Sequence, residues 1–376
     1  MFTKQKIIAA ENNYTALGEY ISNLNVKKIL LVHGNSFYKL PVAEFFLSLK
    51  IPVVHFTEFT PNPIYDSVLK GVDAYRENIC DAIIAIGGGS AIDVAKCIKL
   101  FALMNDETDY LSQKIIPNNI PFIAVPTTAG TGSESTHFAV IYRAGKKFSV
   151  ADKSALPSAV MLDPAALKFL PPYQKKVCLL DALCHAIEAA WSVNSSDESR
   201  AFSFEAIRLI CAYKNFYLAE NPSETCRAQI LYASRLAGMA INLAKTTAGH
   251  ALSYKLTSKY GISHGHAVAL CLARVWKYML KNLNCAVNES VKMQLPKTFQ
   301  RLAECMGCES VEAAISTLQT FLQELNLAEP LQKNFLEKDI DDLAESVNVE
   351  RLANNPVSLN ETAIKNIYKL ILSGKF

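Results

Sequence analysis

The sequence lacks any hydrophobic run long enough to cross a membrane, and its charges nearly cancel. In 376 residues, 38 Lys and Arg oppose 35 Asp and Glu, which leaves a formal net charge of +3. This balance gives no argument for a nucleic acid or an anionic membrane as a partner. Residues 1–12 also lack an apolar stretch followed by a small-residue cleavage site, so no secretory leader is expected there.

A disulfide framework and a low-complexity linker are missing as well. The ten cysteines are scattered through apolar or helical contexts, which suits reduced thiols in a cytoplasmic protein. Cys305 and Cys308 have the spacing of a redox or zinc pair, but no second pair accompanies them, and we interpret them as ordinary thiols. With 50% hydrophobic residues, the chain can bury a sizeable core, and its length favours two domains.

The two halves of the chain differ in their hydrophobic pattern. Apolar runs at 28–34, 53–56, 81–86 and 121–125 alternate with helical stretches such as 64–77 and 91–104. This pattern is typical of a parallel sheet covered on both faces, so residues 1–163 are predicted to form a Rossmann-like α/β domain. Residues 164–376 are predicted to be all-helical, with candidate helices at 173–193, 199–220, 223–246, 264–282 and 297–306.

Two glycine-containing segments follow predicted strands. Gly87-Gly88-Gly89-Ser90 lies between a strand and a helix, where backbone N–H groups and a helix N-terminus can bind a pyrophosphate. A glycine triplet also occurs as a tight structural turn, and that alternative stays open. The second segment, residues 126–134, adds hydroxyls and flexible backbone, and the two segments together strengthen the hypothesis of a nucleotide site.

The second half carries a group of metal-ligand residue types. Asp181 and His185 lie four residues apart in a helical stretch and share one face. His250, His264 and His266 follow within a short segment, although His266 is expected to face away from its neighbour. Three imidazoles and one carboxylate suit a divalent iron or zinc ion with room for a substrate oxygen. Taken singly, each of these residues could be a surface charge or a core histidine.

These segments closely resemble the motifs of the iron-containing (group III) alcohol dehydrogenases. The resemblance rests on residues 87–96 and 126–134, on Asp181 with 185–188, and on His250 with 264–265. It implies a dinucleotide-binding α/β domain, a helical metal domain and an active site in the cleft between them, an architecture shared with dehydroquinate-synthase-like lyases. The implied metal ligands are Asp181, His185, His250 and His264, and the implied cofactor contacts are Asn62, Gly88, Gly89, Ser90, Thr127, Thr128 and Lys147.

The chain departs from that family at the end of the first core strand. Many members that prefer NAD carry an aspartate there, which binds the adenosine ribose, whereas this chain has Gly34 followed by Asn35 and Ser36. Glycine and serine leave room and a donor for a 2′-phosphate, so we expect a preference for NADP(H) over NAD(H).

A second departure is Tyr254, where many members have a histidine near the nicotinamide. Its hydroxyl could orient the substrate or pass a proton, or its ring could simply form a wall of the pocket. A bound water and a ribose hydroxyl are alternative proton donors. The adjacent Lys255, together with Arg143, Lys153 and Lys259, could bind an anionic substrate, although each is also typical of a surface charge.

Residues 250–257 and 260–270 look closest to the phosphonoacetaldehyde reductases, also called 2-hydroxyethylphosphonate dehydrogenases. The sequence therefore predicts an NAD(P)H-dependent, cytoplasmic reductase of a small aldehyde, with Fe²⁺ or alternatively Zn²⁺, that forms a homodimer. A generic short-chain alcohol or lactaldehyde dehydrogenase is the nearest rival. A dehydroquinate-synthase-like lyase and a non-enzymatic scaffold are the alternatives from other classes.

Overall fold

The computed structural model describes residues 5–10, 14–328 and 335–375. The expectation that residues 1–12 hold no secretory leader therefore falls half outside the described residues, at 1–4 and 11–12. Within the part that is described, no helix is both long enough and apolar enough to span a membrane. No two of the ten cysteines, all of which are described, are joined by a disulfide bond.

The strands of the chain form one parallel sheet and one hairpin. They are β1 (Lys6–Ala9), β2 (Ile29–His33), β3 (Val53–Phe56), β4 (Ala82–Gly87), β5 (Phe122–Pro126), β6 (Phe138–Arg143), β7 (Lys146–Ala151) and β8 (Ala159–Leu162). Among the described residues, the sheet has the order β1-β8-β5-β4-β2-β3, and all its neighbouring strands run parallel. Strands β6 and β7 pair antiparallel.

Helices fill the connections in the first part of the chain and make up most of the second. They are α1 (Thr15–Asn23), α2 (Val42–Leu47), α3 (Tyr65–Glu77), α4 (Gly89–Phe101), α5 (Pro172–Trp191), α6 (Asp197–Leu218), α7 (Glu224–Ala244), α8 (Ala248–Tyr260), α9 (His264–Lys281), α10 (Glu289–Cys305), α11 (Val311–Glu324), α12 (Glu337–Glu345), α13 (Val349–Leu352) and α14 (Glu361–Leu372). The prediction of a parallel-sheet α/β region followed by helices is confirmed.

Side chains of the sheet alternate between two hydrophobic layers. Leu30 and Val32 of β2 lie in one layer, which includes buried residues of α3 and α4. Ile29 and Leu31 of the same strand lie in the other layer, with buried residues of α1 and α2. A strand whose alternate residues enter opposite cores must be apolar throughout, which explains the continuous apolar runs of the sequence.

Four of the strands were not predicted, namely β1, β8 and the pair β6 and β7. Strand β1 has only four residues and gains its partner, β8, from the far end of the sheet domain. The hairpin of β6 and β7 turns at Ala144 and Gly145, which have φ values of 48° and 74° and suit a two-residue turn. Charged residues on both sides of this turn hid the strand pattern.

Helix α10 was predicted too short. It begins at Glu289, eight residues before the predicted start at 297, because the Asn288 side chain accepts a hydrogen bond from the Val291 N–H and caps the helix. Pro296 lies inside the helix, just before the predicted start.

The chain divides into two compact units. The first contains the residues up to Leu170 together with Pro222–Arg235, and the second contains Pro171–Asn221 and Leu236 onward. The first unit holds the sheet, and the second holds most of the helices. The functional division predicted after Asp163 stays a prediction.

Candidate functional site

The predicted phosphate loop connects a strand to a helix in the first unit. Strand β4 ends at Gly87, and α4 begins at Gly89 with Gly88 as its N-cap. From β2 the chain moves outward to β3 on one side, and from β4 it moves outward to β5 on the other. The carboxyl ends of strands at such a switch point form the crevice in which α/β sheets bind nucleotides. The loops after β2 and β4 are therefore expected to flank one ligand site.

The two glycine-containing segments lie against each other. A Cβ atom on Gly88 would lie 3.1 Å from the Thr128 methyl carbon, and one on Gly89 would lie 2.9 Å from the Thr131 methyl carbon. The Thr127 N–H also donates to the Gly87 carbonyl at 3.0 Å. A side chain at 89 would force Thr131 to shift and one at 88 would crowd Thr128, so the neighbouring loop favours glycine at both positions, whether or not a phosphate approaches as well.

A buried lysine of α4 anchors the second segment. Lys96 is fully buried, and its ammonium donates to Ser133 Oγ at 2.9 Å, to Thr136 Oγ1 at 2.9 Å and to the Phe138 carbonyl at 2.8 Å. Asp93, one turn earlier, accepts from Ser133 Oγ at 2.5 Å. Burial lowers the pKa of Lys96 to about 8 and raises the pKa of Asp93. We call Lys96, Asp93, Ser133 and Thr136 the Lys96 cluster. The first three lie in the motif segments 87–96 and 126–134, where they were given no role, and Thr136 lies outside these segments.

The remaining predicted cofactor residues also belong to the first unit. Lys147 lies on β7 and acts electrostatically on Asp93, which puts it near the first turns of α4. Asn62 has a left-handed φ of 57°, and the carbonyl of the next residue, Pro63, accepts from the Tyr142 N–H at 2.8 Å. The Asn62 turn is therefore held against strand β6.

The loop after β2 contains Gly34 and Ser36, the residues predicted to favour NADP(H), and it leaves free space beside Gly34. A Cβ atom on Gly34 would meet nothing within 4 Å, and Ser36 is exposed at the start of a short 3-10 helix over Asn35–Lys39. Gly34 has a φ of −93°, so its backbone would accept other residues. The space beside Gly34 can hold a substituent on a ribose or a larger side chain.

Three of the four predicted metal ligands converge in the second unit. Asp181 comes from the middle of α5, His250 from the first turn of α8 and His264 from the start of α9. One carboxylate oxygen and two imidazole nitrogens of these residues lie within 4.8 Å of one another. His185 lies beside them, with its ring stacked on that of His250 at 4.5 Å between centroids.

The chemistry of this donor set fits a divalent ion. Two ligand atoms that each lie about 2.1 Å from one ion are at most about 4.2 Å apart. The distance between Asp181 Oδ1 and His250 Nε2 is 3.9 Å, which meets this limit. A carboxylate with imidazoles is a donor set for Fe²⁺ or Zn²⁺. Asp181, His185 and His250 are also buried, so an ion there would be shielded from most of the solvent.

A glycine fixes the position of His264. A Cβ atom on Gly265 would lie 2.1 Å from the Val177 carbonyl oxygen and 2.8 Å from Asp181 Cβ. Because the obstacle is backbone of α5, no rotamer change could relieve the clash. The start of α9 can therefore approach α5 only with glycine at 265, and this approach brings His264 to Asp181.

Glu188 is a further buried residue of α5 that the sequence motif contained without a role. Its side chain is fully buried and bonds to His250 Nδ1 through Oε2. Burial raises the pKa of Glu188, whereas hydrogen bonds from Thr247 and His250 act to lower it. A buried carboxylate one turn beyond His185 in an apolar helix is the signal that could have revealed it.

Tyr254 lies one helical turn after His250, as its spacing predicted. Its ring stacks on that of His264, with 5.7 Å between centroids and 9° between planes. Loss of solvation raises the pKa of Tyr254 to about 12, although a hydrogen bond from Arg351 opposes the rise. The phenol therefore keeps its proton at neutral pH. Arg351, on α13, was not among the predicted residues.

The four cations considered for an anionic substrate have different surroundings. Arg143 is paired with Asp109 at 2.5 Å, and Lys259 is paired with Asp339 at 2.8 Å. Both are thus engaged by carboxylates. Lys255 is exposed, and Lys153 begins a 3-10 turn of the first unit.

The other histidines have partners outside the metal cluster. His266 donates from Nε2 to the Leu327 carbonyl at 2.8 Å, and its Nδ1 bonds to the Tyr173 hydroxyl at 3.2 Å. His33 and His55 bond to each other at 2.8 Å in the first unit. Among the described residues, none of these three histidines belongs to the group that could hold a metal ion.

Comparison with known proteins identifies matches over both halves of the chain. A family model described as iron-containing alcohol dehydrogenase matches residues 4–164, and a model of the C-terminal part of the Fe-containing alcohol dehydrogenase family matches residues 177–372. Alcohol dehydrogenase 4 of Schizosaccharomyces pombe is 32% identical over 320 residues, which are 82% of this chain and 73% of that relative.

Two further relatives cover nearly the whole chain. The 1,3-propanediol dehydrogenase of Citrobacter freundii is 30% identical over 378 residues, 95% of each chain. The crystal structure of a sulfoacetaldehyde reductase from Bifidobacterium kashiwanohense in complex with NAD⁺ matches with a TM-score of 0.88 and 27% identity, over 98% of this chain and 97% of that one.

Proposed function

Because this chain belongs to the iron-containing alcohol dehydrogenase family and is an oxidoreductase of alcohols and aldehydes, we propose that it reduces a small anionic aldehyde. The specific proposal is reduction of phosphonoacetaldehyde to 2-hydroxyethylphosphonate. The observation that carries it is Arg351, whose guanidinium bonds to Tyr254 while the Tyr254 ring stacks on His264. Similarity to a sulfoacetaldehyde reductase supports an aldehyde with an acidic group.

The proposal assigns one ligand to each unit. Family membership implies NAD(H) and a divalent metal. In the proposal, the 1–163 domain binds the dinucleotide through Gly88, Gly89 and Ser90, assisted by Asn62, Thr127, Thr128 and Lys147. The 164–376 domain binds the metal through Asp181, His185, His250 and His264. We propose Fe²⁺ as the metal, with Zn²⁺ as the alternative that metal analysis of the purified protein distinguishes.

Each side chain near the metal cluster then has a defined task. The ion, when bound, supplies Lewis-acid stabilisation of the charge that develops on the aldehyde oxygen. Arg351 binds the acidic group of the substrate through charge-assisted hydrogen bonds. Tyr254 donates a hydrogen bond toward the reacting oxygen and is the proposed source of its proton, and the exposed Lys255 adds positive charge beside it.

The proposed cofactor preference rests on the loop after β2. Open space beside Gly34 and the exposed hydroxyl of Ser36 support a preference for NADPH over NADH. Rates measured with equal concentrations of the two cofactors test it. A strong preference for NADH would refute this part and leave the substrate proposal intact.

We also propose a homodimer in a reducing, cytoplasmic compartment. Strand β1 forms an edge of the described sheet, and its Ile7 is exposed, which suits a contact between two copies. The absence of disulfide bonds among the ten cysteines supports the compartment. Sedimentation analysis of the purified protein tests the dimer.

A second candidate function is a short-chain alcohol or lactaldehyde dehydrogenase for uncharged substrates. The observation in its favour is the similarity to 1,3-propanediol dehydrogenase over 95% of each chain. For the enzyme class, the family match favours a dehydrogenase over a dehydroquinate-synthase-like lyase or a scaffold.

The deciding experiment compares anionic and uncharged aldehydes. NADPH oxidation by iron-loaded protein is measured with phosphonoacetaldehyde, sulfoacetaldehyde, propionaldehyde and lactaldehyde. We expect phosphonoacetaldehyde to give the highest kcat/KM. The variant Arg351→Met should lower kcat/KM for the anionic aldehydes by roughly 10- to 100-fold, because a charge-assisted hydrogen bond contributes about 1.5–3 kcal/mol. It should lower the rate with propionaldehyde much less, because that substrate loses only the support that Arg351 gives to Tyr254.

Lys259→Met is the matched control, since it removes a cation of α8 that two carboxylates already engage. It should change none of these rates. Equal or better rates with the uncharged aldehydes would discard the phosphonate assignment in favour of the second candidate.

A further inference from the structure

Glu188 is buried so deeply that its carboxylate can stay ionised only if several hydrogen-bond donors surround it. It lies on the face of α5 that carries Asp181 and His185, and its side chain has no solvent exposure. Removing a carboxylate from water costs several kcal/mol unless hydrogen bonds replace the lost hydration. The surroundings of Glu188 should therefore reveal what it does.

Oε1 of Glu188 receives donors from the start of α8. These are Thr247 Oγ1 at 2.7 Å, Thr247 N at 3.1 Å, Gly249 N at 2.9 Å and His250 N at 3.3 Å. Trp191 Nε1 donates to Thr247 Oγ1 at 2.9 Å, so the hydroxyl proton of Thr247 is directed at Glu188. Thr247, the N-cap of α8, has no cap bond from its own side chain. The carboxylate from α5 caps the helix instead.

Oε2 of Glu188 meets the ring of His250 at Nδ1. Gly249 makes this approach possible, because a Cβ atom there would lie 3.1 Å from the Glu188 carboxyl carbon. An ionised carboxylate only accepts hydrogen bonds, so Nδ1 must carry the proton. A neutral imidazole has one N–H, and the lone pair of His250 is then on Nε2, which lies 3.9 Å from Asp181 Oδ1.

We propose that Glu188 is a positioning residue that holds His250 in the Nδ1–H tautomer and thereby directs the Nε2 lone pair at the metal. The inference rests on the proposed function, because it assumes that Asp181, His250 and His264 bind an ion. Partners that fix the tautomer and orientation of a ligand histidine typically change metal affinity by 10- to 100-fold when they are removed.

The variant Glu188→Gln tests this at constant size. Its amide oxygen can still accept from Thr247 and Gly249, whereas its NH₂ group donates to Nδ1 and forces the proton of His250 onto Nε2. We expect affinity for Zn²⁺ and Co²⁺, measured by competition with a chelator, to fall by roughly 10- to 100-fold. The visible absorption of the Co²⁺ protein should change as a ligand is lost. The thermal midpoint of the metal-free protein should change little.

Thr247→Val is the matched control, because it removes a donor to the same carboxylate but leaves the bond between Glu188 and His250. It should lower the thermal midpoint and leave metal affinity within about threefold of wild type, as expected for a group that does not touch the ligand. If Glu188→Gln instead behaves like this control, with a lower midpoint and wild-type affinity, Glu188 only caps the helix and the proposal is overturned.

A second measurement needs no variant and no metal. In ¹⁵N-labelled wild-type protein, the ring nitrogen resonances of His250 should have the pattern of the Nδ1–H tautomer, and the opposite pattern would overturn the proposal. Failure of the proposed function gives a different result: wild-type protein that binds neither Zn²⁺ nor Co²⁺ would overturn both, whereas wild-type binding with an unaffected Glu188→Gln overturns this inference alone.

Discussion

Two buried charges organise the two candidate sites, and they have opposite signs. In the first unit, the Lys96 ammonium collects oxygen acceptors from the loop that follows β5. In the second unit, the Glu188 carboxylate collects N–H and O–H donors from the start of α8. The buried cation thus forms hydrogen bonds with acceptors, and the buried anion forms them with donors.

The difference matches the ligands that we propose. Lys96 engages the oxygen atoms around it. The backbone N–H groups at the start of α4 are then left to contact an anionic pyrophosphate. Glu188 engages the donors around it, including the N–H of the His250 ring. The lone pair of that imidazole is then left to bind a cation. Each buried charge is opposite in sign to the ligand that we propose for its own unit. Lys96 thus engages oxygen atoms that would otherwise repel an anion, and Glu188 engages donors that would otherwise repel a cation.

The largest expected effect follows from removing a ligand in the second unit. His264→Ala should lower turnover by about two orders of magnitude or more, since metal stabilisation of the developing charge contributes several kcal/mol. Affinity for the dinucleotide should persist, because the phosphate loops belong to the first unit. Steady-state rates, metal content and cofactor titration measure the three quantities.

His266→Gln is the control for that variant, since both ring nitrogens of His266 already bond to protein groups. It should keep the wild-type metal content. A wild-type rate in His264→Ala would contradict the assignment of His264 as a ligand. A loss of cofactor affinity would show that the two candidate sites are not independent.

An intermediate effect is expected from the Lys96 cluster. The double variant Asp93→Asn/Lys96→Met removes both buried charges together, so neither is left without its counter-ion. We expect the Kd for NAD(P)H to rise by roughly 10-fold, about 1.4 kcal/mol, because the loop at 133–138 loses its anchor, while metal content stays the same. Fluorescence titration measures the Kd.

Lys99→Met serves as the matched control, because Lys99 is another buried lysine of α4 but donates to Asn118 rather than to the loop. Its cofactor affinity should equal that of wild type. Equal affinities in the double variant and this control would show that Lys96 does not organise the cofactor site.

The last effect concerns stability rather than activity, and it tests through pH what burial of a cation costs. Burial lowers the pKa of Lys99 to about 8 from an unfolded value of 10.5. Between these values the unfolded chain binds more protons, so the contribution of Lys99 to the free energy of unfolding rises with pH. The difference in unfolding free energy, wild type minus Lys99→Met, should therefore increase from pH 8 to 10.5 in urea titrations. A constant or falling difference would contradict the burial effect.

The sequence predicted those parts of the molecule that depend on short-range patterns of residues. Continuous apolar runs indicated strands such as β4, because both faces of the sheet are covered. The four-residue spacing of Asp181 and His185 placed them on one helix face. The glycines at 87–89 indicated a tight connection between a strand and a helix, which is what the structure has.

Features that depend on remote partners were not predicted. The role of Glu188 becomes visible only when α8 lies against α5, and Arg351 is almost 100 residues beyond Tyr254 in the chain. Lys259 was considered for substrate binding, but its carboxylate partners come from α12, which no local pattern could indicate. Strand β1 likewise depends on pairing with β8.

The face of α5 that holds Asp181, His185 and Glu188 makes this site sensitive to chain length. Each residue added to a helix rotates everything after it by about 100°. One inserted residue between 181 and 188 would leave Asp181 beside Gly265 and turn Glu188 away from His250. An insertion or a deletion between Asp181 and Glu188 should therefore abolish activity even where it leaves each of these side chains in the chain.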